Sequence, residues 1–323
     1  MEAGAVQRGC CTPGAIRAAR APLASNPAPT RDGRSGGCGL IEVNAAGAVA
    51  YYGRRELRLG PRAPPGEPMD TTRSTAPSAS CSRPATPVMR LSDPAATAVR
   101  TRREVYESLL PLAGSRILEL GCGAAEATRE IATGAPGVSI TALEVDRIQH
   151  EKNSRITDLP NVRFVLGGAE SIPLPDAACD IVLMFRSLHH VPLAAMDQAL
   201  REIARVLKPG GLAYFEEPVF AGAYTEMVRV FHDEEQVRAA AFVALQRAVA
   251  AGLFELSSET FFLIRKRYRD WPQFEAKVRE ETHTLHRLTE AQWAAVETRF
   301  RAALGPAGAE FLTPMRIDLL RKA

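Results

Sequence analysis

The chain has 323 residues, of which 46% are hydrophobic and 24% charged, with a formal net charge of +3. This suits one large α/β domain with additions, or two small domains. No apolar run approaches the roughly 18 residues that cross a bilayer, so a soluble, cytoplasmic protein without a membrane span is expected. Arg so outnumbers Lys, whose first occurrence is Lys152, and the basic N-terminal region so lacks interleaved aromatics, that no nucleic-acid partner is expected. The six cysteines, Cys10, Cys11, Cys38, Cys81, Cys122 and Cys179, form no CxxC pair, and no His stands at ligand spacing from them. Free thiols and no metal site are expected.

Residues 1–90, rich in Ala, Gly, Pro, Arg and Ser, read as a disordered or low-complexity region. Within it, 21–39 and 60–86 lack usable periodicity, and 39–59 has the apolar content of a weak hairpin. No apolar core of signal-peptide length follows Met1. The Arg-rich, acid-poor start loosely resembles a transit peptide, and translation from Met69 is the competing reading.

Order is expected from about Ser92. Asp93 and Pro94 have the residue types of a helix N-cap and first turn, and the helix is predicted to run to about Leu110 with Val99, Val105, Tyr106 and Leu109 apolar. Strands are then predicted at 116–120, 138–145, 162–166, 180–185 and 212–216. They alternate with helices at 125–132, up to about Thr157, and at 193–207. The last of these stops at Lys208-Pro209-Gly210-Gly211. Continuous apolar strands in this rhythm predict an α/β fold: a mainly parallel twisted sheet with helices on both faces. Beyond Pro218, helices are predicted at 226–251, 271–285 and 289–304. A final antiparallel strand is predicted at 310–320, where Pro314 suits an edge or a bulge. The expected organisation is therefore 1–90, a core at 91–218 holding a cofactor, and a helical lid or substrate region at 219–323 that ends in the last sheet strand.

Gly121-Cys122-Gly123 follows a predicted strand and opens a helix, where glycine lets the backbone turn tightly and approach a ligand. A dinucleotide fingerprint would place a third glycine at position 126. Glu126 stands there instead, and its charge disfavours a pyrophosphate. Glu119 lies two residues before the glycines. Glu144, at the end of the second strand and about twenty residues on, is placed to accept ribose hydroxyls. Asp146 is its rival and is better suited to cap the next helix.

Ile117–Gly123, Ile140–Glu144, Gly167–Pro175, Cys179–Val182, Leu188-His189-His190-Val191 and Leu207–Gly211 together resemble, in order and spacing, class I S-adenosylmethionine-dependent methyltransferases, and most closely the "type 11" group. The resemblance covers about 90–218. It implies a Rossmann-like fold and S-adenosyl-L-methionine as cofactor, held by Glu119, Gly121, Cys122, Gly123, Glu144, Val145, Gly168, Ala169, Glu170 and Phe185. Two departures stand out. The family's Gly-Asp-Ala after the third strand has Gly168 in the Asp position, which leaves Ala169 backbone and the Glu170 side chain for adenine. The third glycine of the loop is Ala125. Arg186 is expected to face solvent or substrate, away from the sulfonium.

Methyl transfer is an in-line displacement that needs alignment above all, and a general base where the acceptor must lose a proton. His189, His190, Glu216 and Glu217 lie where α/β sheets open their ligand crevice and are the catalytic candidates. Tyr224 and His232, at helical spacing on the segment nearest the site, are the candidate substrate contacts. The expected acceptor is a small, partly apolar molecule. Two other readings stay open: a protein or nucleic-acid methyltransferase, against which Phe185–His190 lacks an Asn/Asp-Pro-Pro-Tyr pattern, and a non-catalytic cofactor-binding regulator or partner subunit.

Overall fold

A computed structural model describes residues 88–280 and 288–323. In chain order they form α1 (Arg102–Leu109), β1 (Arg116–Leu120), α2 (Glu126–Gly134), β2 (Ser139–Glu144), α3 (Arg147–Asn153), β3 (Val162–Leu166), β4 (Cys179–Phe185), α4 (Met196–Val206), β5 (Leu207–Pro218), α5 (Ala223–Val228), α6 (Glu235–Ala250), β6 (Phe254–Tyr268), α7 (Trp271–Glu280), α8 (Glu290–Ala302), β7 (Leu304–Gly305) and β8 (Gly308–Lys322). One sheet runs β3-β2-β1-β4-β5-β8-β6, with the short β7 on β8. The first five strands pair in parallel, and β8 joins antiparallel to both β5 and β6.

Alternate residues of the central strands feed two cores. Leu118, Leu120, Val182, Met184, Ala213 and Phe215 face α4 and α6, while Ile117, Ile181, Leu183 and Tyr214 face α1 and α2. Both faces are thus covered, as the apolar strands required. The chain runs outward from β1 through β2 to β3, then returns to lay β4 on the other side of β1. Such a reversal opens a crevice at the carboxyl ends of the strands.

The structure changes several expected elements. The first helix begins at Thr101, not at Asp93, because Thr101 and Glu104 form a reciprocal capping box. Asp93 instead accepts the Ala95 N–H at 3.0 Å in a local turn. Residues 98–100 are extended, and Val99 bridges to Leu263. The helix expected at 226–251 is two helices, α5 and α6, broken at 229–234, where Asp233 accepts the Glu235 N–H. The C-terminal region is not purely helical, since β6 supplies fifteen residues of strand. Its alternation was hidden by the run Phe261-Phe262-Leu263-Ile264. Pro314 lies in an interior strand, not at an edge. Its partner Leu263 turns its own N–H and carbonyl to Ala98 and Arg100, and the Pro314 carbonyl accepts Val219 N–H beyond the end of β5, so the missing donor breaks no rung.

The readings of 1–87, including the hairpin, the transit-like start and Met69, and the helical extension from 281 to 285, lie outside the described residues.

Candidate cofactor site and acceptor rim

β1 ends in Leu120, and the chain turns through Gly121 and Gly123, both in the left-handed region at φ +71° and +52°. Gly121 and Cys122 donate to the Leu143 carbonyl at 2.9 and 3.0 Å, tying the loop to the end of β2. A β-carbon on Gly123 would meet nothing within 4 Å, so this turn faces open space. One on Gly121 would stand 2.8 Å from Ser187 Cβ, because the segment after β4 packs directly on the loop. The Ser187 hydroxyl donates to the Leu120 carbonyl at 2.8 Å across the same seam. Ala125 holds a left-handed conformation at φ 60°, in the place where the resembled family has its third glycine, and opens α2 without a side-chain cap. Such a conformation is unfavourable for a residue with a β-carbon, yet Ala125 is buried and held by hydrogen bonds to Cys122 and Arg129.

Glu144 closes this loop from the second strand. Its carboxylate accepts N–H groups from Gly123 at 2.7 Å and from Val145 and Asp146 at 2.9 Å each. A carboxylate offers about four acceptor positions, so these three bonds fix its orientation and leave capacity for a hydroxyl. Asp146 accepts the Ile148 N–H as N-cap of α3, the capping role its sequence position suggested. Val145 and Ile148 are exposed beside it, 64% and 66%. Cys122 and Asn153 brace the loop from below, with Asn153 donating to the Gly123 carbonyl at 2.8 Å.

Glu119 is buried and accepts the Thr128 hydroxyl at 2.6 Å. Burial pushes its carboxyl up to about 7, against the opposing pull of Thr128 and Arg102. On the far side of the crevice, Glu170 folds back over Gly168. A β-carbon at 168 would lie 2.7 Å from its carboxyl carbon. Ala169 is buried under this turn.

The rim after β4 and β5 divides the four catalytic candidates by environment. Glu216 is fully buried and accepts two hydrogen bonds from Arg102 Nε at 3.0 and 3.2 Å, with Arg186 Nε 4.0 Å away. Burial raises its pKa, with Arg102 and Arg186 opposing. Arg186 takes φ +53° and keeps half its side chain exposed. Phe185, expected on the cofactor side, is buried at the end of β4. Its ring packs between Tyr106 and Tyr214, with Arg102 5.0 Å above it.

Leu188–His190 forms a single tight turn after β4. Glu217 accepts the Leu188 N–H at 3.0 Å and forms a short ion pair with His189 Nδ1. His189 Nε2 lies 3.6 Å from Glu234 Oε1, and Glu234 also binds His232 Nε2 at 2.7 Å and Arg238 at 2.6 Å. Burial would lower the His189 pKa, but the Glu217 charge and its contacts with both carboxylates raise it to about 9. Glu217 and Glu234 are lowered, their burial outweighed by the imidazolium. His190 packs against His189 with ring centroids 4.2 Å apart and planes tilted by 43°, and is exposed.

Tyr224 and His232 part company because the helix breaks between them. His232 joins the rim through Glu234. Tyr224 stacks on Tyr268, meets Phe311 edge-on and lies under Lys266, in the C-terminal apolar cluster. Glu234, Arg102 and Ser187 escaped sequence reasoning. Each is an ordinary polar residue whose role depends on contacts across more than forty positions.

Residues 118–215 match the model of a methyltransferase domain family. The glycine loop closed by Glu144 lies within the matched segment. The chain carries a class I S-adenosylmethionine-dependent methyltransferase domain. The 27-O-demethylrifamycin SV methyltransferase of Amycolatopsis mediterranei is 38% identical to it over 108 residues, 32% of this chain and 39% of that protein. The O-methyltransferase rstn1 of Aspergillus nomiae is 33% identical over 147 residues, 43% of this chain and 63% of that protein. The chain thus spans less than two thirds of either relative. The YcgJ protein of Bacillus subtilis has a solved structure that covers 68% of this chain and 97% of its own at 18% identity, with a TM-score of 0.50, a likeness of fold. The methyltransferase domain fits its cofactor: Gly123 leaves open space, Glu144 keeps acceptor capacity beside it, and Glu170 places a carboxylate where Gly168 lacks one. No helix among the described residues is long and apolar enough to cross a membrane.

Proposed function

We propose that the chain transfers a methyl group from S-adenosylmethionine to an oxygen of a small, partly apolar molecule. The observation that carries this reading is the hydrogen bond from Gly123 N–H to Glu144, which joins the glycine loop to the acid at the end of β2. When bound, the cofactor supplies a methyl group on a sulfonium whose leaving group is a neutral thioether. Gly121, Cys122 and Gly123 give it close backbone approach, Glu144 and Val145 meet the ribose and adenine side, and Ala169 and Glu170 meet the adenine amino group. Glu119, neutral or ionised near neutrality, is poised to ionise beside the cofactor's amino group.

The rim residues then have separate duties. Glu216 is committed to Arg102 and anchors the start of α1 over the site. Glu217 is committed to His189, which already holds a proton at neutral pH and takes no further one. His190 is the accessible imidazole, so the acceptor's O–H is ionised next to it. His232 contributes to the same wall. The relatives support an oxygen acceptor: one is named as an O-methyltransferase, and another for a 27-O-demethyl substrate.

The test is transfer of label from methyl-labelled S-adenosylmethionine to a panel of hydroxylated small molecules, with proteins and nucleic acids as alternative acceptors. Label in a small-molecule product, lost in Glu144→Ala, is expected. Cofactor binding without transfer to any acceptor would turn the reading to a non-catalytic binding protein.

A further inference from the structure

We propose that His189, His190 and Glu234 hold a divalent transition-metal ion of the zinc class at the acceptor rim. One ligand atom from each of the three lies within 4.8 Å of the others. They come from two separate places, the tight turn after β4 and the residue before α6, so the fold assembles the set from segments forty-four positions apart.

Three observations support an ion over a simple polar network. First, His189 Nε2 and Glu234 Oε1 stand 3.6 Å apart, beyond a hydrogen bond. Donors around a tetrahedral ion with bonds of about 2.0–2.1 Å stand about 3.3 Å apart. Second, His189 gives its other ring nitrogen to Glu217. That carboxylate–imidazole arrangement orients metal-binding histidines and makes them better donors. Third, both His189 and Glu234 are more than nine-tenths buried, and buried charges need matched partners. Arg238 pairs with Glu234 Oε2 at 2.6 Å, while His232 Nε2 shares Oε1 at 2.7 Å. Two imidazoles and one carboxylate suit zinc or cobalt better than magnesium, which prefers oxygen donors.

Three protein donors leave a fourth position open, as in catalytic sites of this geometry. This inference rests on the proposed function in one respect: the fourth ligand would be the acceptor's hydroxyl. The bound ion lowers the pKa of that O–H, the proton leaves to solvent, and the alkoxide or phenoxide oxygen is held for attack. His190 is then a ligand and not the base. Binding requires neutral imidazoles, so the ion displaces the proton of His189.

The test uses the full chain, freed of metal with a chelator and without cofactor. Calorimetric titration with Zn²⁺ in two buffers of different ionisation enthalpy is expected to show one ion per chain and net proton release. Co²⁺ is expected to give the visible absorption of a four-coordinate site. His190→Ala and Glu234→Gln should each weaken binding by ten- to a hundredfold, while His150→Ala, on α3, leaves it unchanged. Far-ultraviolet circular dichroism and S-adenosylhomocysteine binding report whether the variants stay folded. Absence of stoichiometric binding, or binding equally strong in both variants, overturns the metal site. Failure of cofactor binding in the parent protein would overturn the proposed function instead.

Discussion

The carboxylate of Glu170 occupies the space that a side chain on Gly168 would need, with its carboxyl carbon 2.7 Å from the position of that absent β-carbon. The resembled family places an Asp at 168. Here the acid is displaced by two residues in sequence and returned by the fold to nearly the same point.

Glu170→Gln is therefore expected to raise the dissociation constant for S-adenosylhomocysteine about tenfold, equivalent to about 1.4 kcal/mol. Gly168→Asp alone should also weaken binding, because two carboxylates would compete for one space. The double variant Gly168→Asp/Glu170→Ala should recover most of the affinity. Calorimetry on the four proteins checks this. Unchanged affinity in Glu170→Gln would leave adenine recognition to the Ala169 backbone.

Glu144→Ala removes the acceptor of three backbone N–H groups as well as a ribose contact. A loss of about 1–3 kcal/mol in stability is expected from the orphaned donors, measurable by denaturant unfolding, together with a loss of cofactor affinity of at least tenfold. A variant with full stability and weakened binding would mean that the loop holds its shape without Glu144.

Gly121→Val sets its new β-carbon against Ser187, and φ +71° is strained for any β-branched residue, so loss of cofactor binding with loss of stability is expected. Gly121→Ala should then already destabilise the chain and weaken binding, and Ser187→Gly should relieve part of the steric share. No rescue in the double variant would point back to a direct clash with the cofactor.

The parallel half of the fold was legible because its strands are continuous apolar runs with glycine and proline punctuation, and 162–166 matches β3 to the residue. The cofactor loop was legible for a similar reason, since Gly121, Gly123 and Glu144 are local signals at fixed spacing. The strand β6 was not, because it gains its identity by pairing with β8 more than forty positions on. The rim was legible only in part. His189 and Glu217 could be named from strand ends, but Glu234 sits in a helix break that the Ala-rich pattern concealed. The aromatic packing of Phe185 on Tyr106 and Tyr214 was not legible either, because it joins three separate elements.

The buried His189 makes stability depend on pH. Its folded pKa of about 9 lies above the ordinary value of about 6.5. The stabilisation is therefore full below about pH 6.5 and is lost as the pH rises through about 9, with a magnitude on the order of 3 kcal/mol. Glu217 and Glu234 are lowered, so their contribution is present above the ordinary carboxylate range and lost in acid. The thermal midpoint of metal-free protein should fall between pH 7 and 9.5, and His189→Gln should flatten that fall. An equally steep decline in the variant would assign the pH dependence to other groups.

The central claim is that the glycine loop and Glu144 form a site for S-adenosylmethionine. Isothermal titration of the full chain with S-adenosylhomocysteine tests it most directly. The account predicts saturable binding of one molecule per chain that Glu144→Ala weakens at least tenfold. No binding by the folded protein, or binding that Glu144→Ala leaves unchanged, would contradict it.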